Sequence, residues 1–125
     1  MIFSMHILVK QVLNMKDNYY IHFFILSVLF DILTGNLKNM VGKNRNLDSS
    51  VGIKGLIKHV IVLLLVLTIY PYLTALNFSA YANSIVIFYV FNYTVSVVEN
   101  LNEMGIKLPK GIKKYLKKAN VRKDN

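Results

Sequence analysis

The chain has 125 residues, of which 54% are hydrophobic, and its formal net charge at pH 7 is +9. A soluble domain carries about 45–50% apolar residues, so this composition favours a membrane protein, and the length allows one domain. The chain contains no cysteine, which excludes disulfides, thiol catalysis and cysteine metal sites. Its histidines, His6, His22 and His59, share no ligand spacing, so we expect no metal and no cofactor. No nucleophile–base pair is recognisable either, so we do not expect an enzyme.

The N-terminal segment, residues 1–18, has the pattern of an amphipathic helix. Its apolar residues recur three or four positions apart, at Ile2, Met5, Leu8, Val9 and Val12. The segment is too short to cross a bilayer, which takes about 20 apolar residues. An interfacial helix and a frayed terminus are both compatible with this pattern.

Three longer apolar segments predict an all-α integral membrane protein with three spanning helices, at residues 19–37, 59–76 and 80–98. Nineteen residues at about 1.5 Å each cover about 28 Å, which is close to the thickness of the hydrocarbon core. Residues 38–58 are expected to form a polar, basic loop, and residues 77–79 a short turn. Pro71 lies near the end of the second span, where we expect a kink or a helix stop.

The basic residues concentrate in the tail, residues 99–125, which contains Lys107, Lys110, Lys113, Lys114, Lys117, Lys118, Arg122 and Lys123. Apolar residues of the tail share one helix face, at Ile112, Tyr115, Leu116 and Ala119. This pattern predicts a basic amphipathic helix that binds anionic lipid at the membrane surface and fixes the topology. No base-reading module accompanies the charges, so nucleic acid is not an expected partner.

The distribution of charge also predicts the orientation in the membrane. The loop 38–58 and the tail are rich in Lys and Arg, whereas the turn 77–79 has neither. The positive-inside rule therefore places the loop and the tail in the cytoplasm, and three spans then place the N-terminus outside. Lys10 and Lys16, on the N-terminal side, run against this rule.

Polar residues recur at helical spacing within the first and third spans. The first span and its exit carry Ser27, Asp31, Thr34 and Lys38, and the third carries Asn92, Ser96, Glu99 and Glu103. A second row of i+4 neighbours in the third span consists of Ala80, Ser84, Phe88, Asn92 and Ser96. A polar stripe on a membrane helix faces a partner helix or water rather than lipid. We therefore predict that these stripes line or assemble an oligomer.

Asp31 is the strongest functional candidate among these residues, because inserting a carboxylate at midspan costs about 2.5–3.5 kcal/mol of free energy on insertion scales. One interpretation is that Asp31 lines or triggers an oligomeric pore. The other is that its side chain reaches the cytoplasmic interface beside Lys38. For Glu99 and Glu103 the simpler interpretation is pairing with lysines of the loop or tail in water, which is worth little.

Several of these residues match motifs of a known family. The end of the first span resembles the D-x-x-T-G signature of the phage and toxin-secretion holin family, through Asp31, Thr34 and Gly35. The exit of the third span resembles that family's S-x-L-E-N…G-x-x-L-P ending, through Ser96, Glu99, Asn100, Gly105, Ile106, Leu108 and Pro109. The stretch containing Ser49, Ser50, Gly55 and Leu56 is similar to its first cytoplasmic loop. Many members have an acidic residue where this chain has Asn92, and another near the end of the second span, which this chain lacks.

The resemblance implies a homo-oligomeric holin, which accumulates in the bacterial cytoplasmic membrane and opens lesions for an endolysin or a secreted toxin. Together with the polar stripes, it indicates pore or oligomer-interface residues at Ser27, Asp31, Thr34, Gly35, Ser84, Asn92, Ser96, Glu99 and Asn100. Two alternatives stay open. One is an antiholin-like regulatory subunit that assembles without opening, and the other is a small channel or transporter subunit.

Overall fold

The computed structural model describes residues 3–41, 49–106, 108–111 and 114. These residues form α1 (Met5–Asn14), a 3₁₀ turn (Met15–Asp17), α2 (Tyr19–Val41), α3 (Ser49–Ala75) and α4 (Ser79–Glu103). Three segments are long and apolar enough to cross a membrane: Tyr19–Val41, Gly52–Ala75 and Ser79–Glu103. The predicted all-α fold with three membrane-spanning helices is confirmed.

The three long helices extend beyond the predicted spans at the ends remote from the α3–α4 turn. α2 continues to Val41, α3 begins at Ser49 rather than at residue 59, and α4 continues to Glu103. Much of the predicted loop 38–58 is therefore helical, while residues 42–48 lie outside the described part. The predicted spans stop beside the flanking charged residues Lys38, Lys58 and Glu99, yet a helix continues past the hydrocarbon wherever such side chains reach water.

The short turn between α3 and α4 is built by a helix C-cap. The backbone N–H of Phe78 donates to Leu73 O at 2.8 Å and that of Asn77 to Thr74 O at 3.2 Å, the two bonds of a Schellman motif. Asn77 has the left-handed φ of 67° that this motif requires. Pro71 lies inside α3, which ends only at Ala75, so the expected helix stop does not occur at Pro71.

The core lies between the three long helices, with α2 packed mainly against α4. Its largest fully buried side chains, among the described residues, are Phe24, Val28, Val66 and Val86. Large apolar side chains cover the outer faces instead, among them Phe23, Leu33, Leu64 and Ile87. Because such outer faces suit hydrocarbon and not water, the fold is that of a multi-pass membrane protein.

The N-terminal segment is helical from Met5, and α1 packs against α3. Ser4 caps α1 by accepting a hydrogen bond from the backbone N–H of Ile7 at 3.2 Å. Leu8 is buried, and the ring of Phe3 stacks on Tyr72 with centroids 6.1 Å apart. The other face of α1 exposes Met5, Val9, Val12 and Leu13.

At its C-terminal end, α4 stops at a second cap of this kind, with glycine in place of asparagine. The backbone N–H of Ile106 donates to Leu101 O at 3.1 Å, and Gly105 has a φ of 84°, which glycine adopts without strain. Lys110 and Lys114 of the tail are exposed. The remaining basic residues of the predicted amphipathic helix lie outside the described residues: Lys107, Lys113, Lys117, Lys118, Arg122 and Lys123.

Candidate functional site: a polar cluster between the spanning helices

A buried polar cluster joins α2 to α4, and the carboxylate of Asp31 is its centre. Oδ1 of Asp31 accepts hydrogen bonds from Ser96 Oγ at 2.5 Å and from Asn100 Nδ2 at 3.1 Å. Asn100 Nδ2 also donates to Thr34 Oγ1 at 3.0 Å. Asp31, Thr34 and Asn100 are all buried. Two residues of each motif that carried the family resemblance thus meet inside one chain.

The second spanning helix, α3, joins the cluster through His59. Its Nε2 lies 3.7 Å from Asp31 Oδ2, and its Nδ1 lies 3.0 Å from the hydroxyl of Tyr93 on α4. The rings of His59 and Tyr93 are also in contact, with centroids 5.4 Å apart. The carboxylate of Asp31 therefore contacts side chains of both α3 and α4.

The depth of Asp31 explains why it needs these partners. It lies ten residues before the end of α2, which is about 15 Å along the helix axis. Polar groups that leave water lose free energy unless hydrogen bonds replace those to water, and the penalty is largest for charges. Hydrogen bonds from Ser96 and Asn100 to a carboxylate are charge-assisted and so stronger than neutral ones. The cluster is therefore a tether between α2 and α4, and its hydrogen bonds also replace those that the carboxylate would form with water.

At the edge of the cluster, Lys38 pairs with Glu103 rather than with Asp31. Lys38 Nζ lies 3.0 Å from Glu103 Oε2, and both side chains are partly exposed. An exposed pair of this kind contributes about 0–1 kcal/mol. Glu99 differs from Glu103, because its Oε1 is buried and has no hydrogen-bond partner among the described residues.

The other predicted site residues fall into an inner and an outer group. Ser27 is buried, but its hydroxyl donates to Phe24 O of its own helix at 2.7 Å. Gly35 lies beside Asn100, since an added Cβ would be 3.7 Å from Asn100 Nδ2. Ser84 and Asn92 face outward from α4 and are exposed. The structure therefore brings Asp31, Thr34, Gly35, Ser96 and Asn100 together and leaves Ser84 and Asn92 apart from them.

The face of α4 that meets α2 lies one residue away from the stripe that the sequence suggested. Its buried residues are Ala82, Val86, Tyr93 and Asn100, with Ser96 beside them. Asn92, which belonged to the predicted stripe, is one position before Tyr93 and therefore points about 100° away. His59 and Tyr93 were missed, although Tyr93, Ser96 and Asn100 recur at i, i+3 and i+7, which is one helix face.

A second polar cluster lies at the end of the molecule that carries the α3–α4 turn. Asn18 Nδ2 donates to the hydroxyl of Tyr70 at 2.7 Å, and this hydroxyl donates to Asn83 Oδ1 at 2.6 Å. Asn18 Oδ1 accepts from the backbone N–H of Tyr20 at 2.9 Å, which caps the start of α2. No spacing pattern could have predicted the contact between Asn18, Tyr70 and Asn83, because the three belong to different segments of the chain.

The chemistry of these clusters is that of hydrogen bonding between helices. In the described part of the chain, no three His, Asp or Glu side chains come together in a way that would hold a metal ion. The arrangement links α2, α3 and α4 and holds the carboxyl group of Asp31 between them.

Comparison with known sequences supplies the family. The sequence model of the bacteriophage holin family matches residues 9–120, which includes all three spanning helices and the whole Asp31 cluster. The chain belongs to the bacteriophage holin family. The predicted membership of this family is thereby confirmed.

Relatives of this holin-family chain occur in Clostridium perfringens. An uncharacterized 14.9 kDa protein from the 3′ region of nagH is 31% identical over 98 residues, which cover 77% of this chain and 73% of the relative. An uncharacterized protein of strain 13 is 30% identical over 95 residues, which cover 74% of this chain and 69% of the relative. No solved structure shows a significant match.

Proposed function

We propose that this holin-family protein oligomerises in the bacterial cytoplasmic membrane and permeabilises it, so that an endolysin or a secreted toxin crosses. The family membership and the three spanning helices support a holin-like membrane protein. The observation that carries the proposal further is the outward position of Asn92 on α4. We assign the N-terminus to the outside and the basic tail, with its anionic lipid partners, to the cytoplasm, following the charge pattern.

Asn92 presents an amide to the surroundings of a single chain, near the middle of α4. Its side chain forms no hydrogen bond within the part of the chain that the structure describes. An amide that faces hydrocarbon without a partner costs a few kcal/mol, roughly 1–3 by protein mutational data. A second copy of the chain would supply a partner, at about 0.6 kcal/mol for each interhelical hydrogen bond and up to about 1.7.

The surface next to Asn92 contains an exposed row of residues and a groove that could receive a neighbouring helix. Phe88 lies about one turn before Asn92, and Ser84 about two turns before it, on the same exposed row. Beside this row, α3 and α4 enclose a groove of about 430 Å³ whose lining includes Leu65, Ile69 and Phe88. Small and polar side chains such as Ser84 and Asn92 allow helices to approach closely in lipid, while the large ring of Phe88 lines the groove. We therefore assign this row and groove to contacts between copies.

The Asp31 cluster has a different role in this proposal, because its hydrogen bonds are already formed between side chains of the same copy. It holds α2 on α4 in the closed protein. In the open oligomer α2 and α4 separate, and Asp31, Ser96 and Asn100 then face a water-filled interior, where a charged side chain is tolerated.

The same closed cluster favours a second candidate, a regulatory subunit that assembles with a holin but does not open. Expression in bacteria separates the two candidates. A holin collapses the membrane potential abruptly when it is expressed alone. A regulator leaves the potential intact and delays the collapse caused by a holin made beside it.

Replacement of Asn92 by leucine tests the proposed interface. Asn92→Leu removes the amide but keeps the helix, so we expect cross-linking in membranes to shift from larger oligomers to smaller ones and permeabilisation to come later. Thr94→Val is the matched control, because Thr94 is also exposed but its hydroxyl donates to Val90 O of its own helix at 2.7 Å. An Asn92→Leu size distribution equal to that of Thr94→Val would show that this row is not an interface.

A further inference from the structure

An open-sided cavity of about 540 Å³ separates α2 from α3 on the side of Asp31 that faces His59. Its lining includes Asp31, Ile32 and Lys38 of α2, and Gly55 and His59 of α3. Lys38 lies near the end of α2, so the cavity runs from the end of the helices that carries the α2–α3 connection to the depth of Asp31.

The lining is loosely packed at two glycines. Gly52 and Gly55 belong to the lining, and a Cβ added to either would meet no atom within 4 Å. The volume is ample for several water molecules, since one molecule takes about 30 Å³ in the liquid. Ionisable side chains inside membrane proteins face such water-filled spaces or pair with one another. The polar end of the cavity therefore suits water better than a lipid chain.

The charges around the cavity favour a cation at its inner end. Lys38 contributes a positive charge, but Glu103 lies 3.0 Å from its ammonium and offsets it. Asp31 directs Oδ1 to Ser96 and Asn100, while its Oδ2 lies on the side of His59 at 3.7 Å. One carboxylate and one imidazole provide fewer ligands than a dehydrated Ca²⁺ ion takes, so a hydrated monovalent ion matches better.

We propose that this cavity is a water-filled inlet in each single chain, and that it binds a small hydrated monovalent cation beside Asp31. The inlet is closed beyond Asp31 by the apolar core, in which Phe24, Val28 and Val66 are fully buried. The site is formed within one copy, so it does not depend on contacts between copies or on the opening of a pore.

The absence of cysteine from the sequence makes a direct test possible. We would introduce single cysteines at Ile32, which lines the cavity, and at Leu33, which is exposed on the outer face at the same depth. Each variant is treated with cationic and anionic methanethiosulfonate reagents of similar size, in inside-out and right-side-out vesicles that hold a membrane potential. The cysteine thiolate attacks the reagent, which gives a mixed disulfide and releases methanesulfinate.

If the inlet contains water, Ile32→Cys reacts at least about tenfold faster than Leu33→Cys, because the reactive thiolate forms in water and not in hydrocarbon. The cationic reagent then reacts faster than the anionic one at Ile32→Cys, and Asp31→Asn removes this preference. Replacing N-methylglucamine by potassium ions at equal ionic strength slows the reaction, since the bound ion occupies the cavity.

Equal rates for Ile32→Cys and Leu33→Cys would overturn the inlet. Fast reaction without a preference for the cationic reagent, or without any effect of potassium, would overturn the cation site. Gly55→Cys with Ile57→Cys as its exposed partner gives an independent pair on α3, in case Ile32→Cys does not fold. Rates are compared only in vesicles that retain their potential, so a failure here is distinct from a failure of the proposed permeabilisation.

Discussion

Replacement of Asn100 by alanine removes the side chain that links α4 to two residues of α2. Asn100 is buried and donates to Asp31 Oδ1 at 3.1 Å and to Thr34 Oγ1 at 3.0 Å. In lipid, an interhelical hydrogen bond contributes about 0.6 kcal/mol on average and about 1.7 at most. Two such bonds give an expected loss of about 1–3 kcal/mol in the free energy of unfolding. Asp31 keeps its bond from Ser96, so we do not expect the larger cost of a fully isolated carboxylate.

The assay is reversible unfolding of the purified protein in bicelles by titration with sodium dodecyl sulfate, followed by circular dichroism. Asn102→Ala is the matched control, because Asn102 is two residues away on α4 and exposed. A surface substitution of this kind changes stability by less than about 0.5 kcal/mol. A double-mutant cycle of Asn100→Ala with Thr34→Val isolates the bond between those two side chains. If Asn100→Ala were as mild as Asn102→Ala, the cluster would not be the tether between α2 and α4.

Three further outcomes follow from the same contacts. Asp31→Asn weakens the charge-assisted bonds to α4, so bacteria that express this variant at an equal protein level lose membrane potential earlier than wild type. Glu103→Gln, at an exposed position, leaves the timing unchanged. Equal timing of the two variants would contradict the role of the cluster as a tether. Tyr70→Phe removes the hydroxyl that bridges Asn18 to Asn83 and lowers the free energy of unfolding by about 1–3 kcal/mol in the same titration, with the exposed Tyr72→Phe as its control. Removal of residues 113–125 reduces binding to anionic liposomes, and unchanged binding would exclude the tail as a lipid anchor.

Much of the fold was predictable, because lipid imposes a simple rule on sequence. Each spanning helix needs about 20 apolar residues, and the three segments of that length are visible in the chain. The helix ends were less predictable. α3 begins at Ser49 because a helix outside the hydrocarbon tolerates residues such as Lys54 and Lys58, which a hydropathy pattern assigns to a loop.

The site was predictable in part. The isolated carboxylate in an apolar segment pointed to Asp31, and the helical spacing of polar residues pointed to Ser96 and Thr34. The choice between adjacent faces of α4 was not predictable, because polar residues occur on both and only packing decides which one meets α2. The contact of Asp31 with His59 joins separate helices, so spacing along the chain could not reveal it.

In this account the two faces of α4 have different roles. The inner face, with Ser96 and Asn100, holds the single chain closed, and the outer face, with Ser84 and Asn92, meets another copy. This division explains why polar residues recur along α4 more often than one helix contact requires. It also separates the substitutions that alter timing from those that alter assembly.

The central claim is that copies of this chain assemble in a bilayer and make it permeable. The most direct measurement is release of dyes of graded size from liposomes against protein dose, with cross-linking of the same samples. The account predicts release that rises steeply with dose, includes the larger dyes and coincides with oligomers. A protein that remains monomeric and releases no dye at any dose would contradict it.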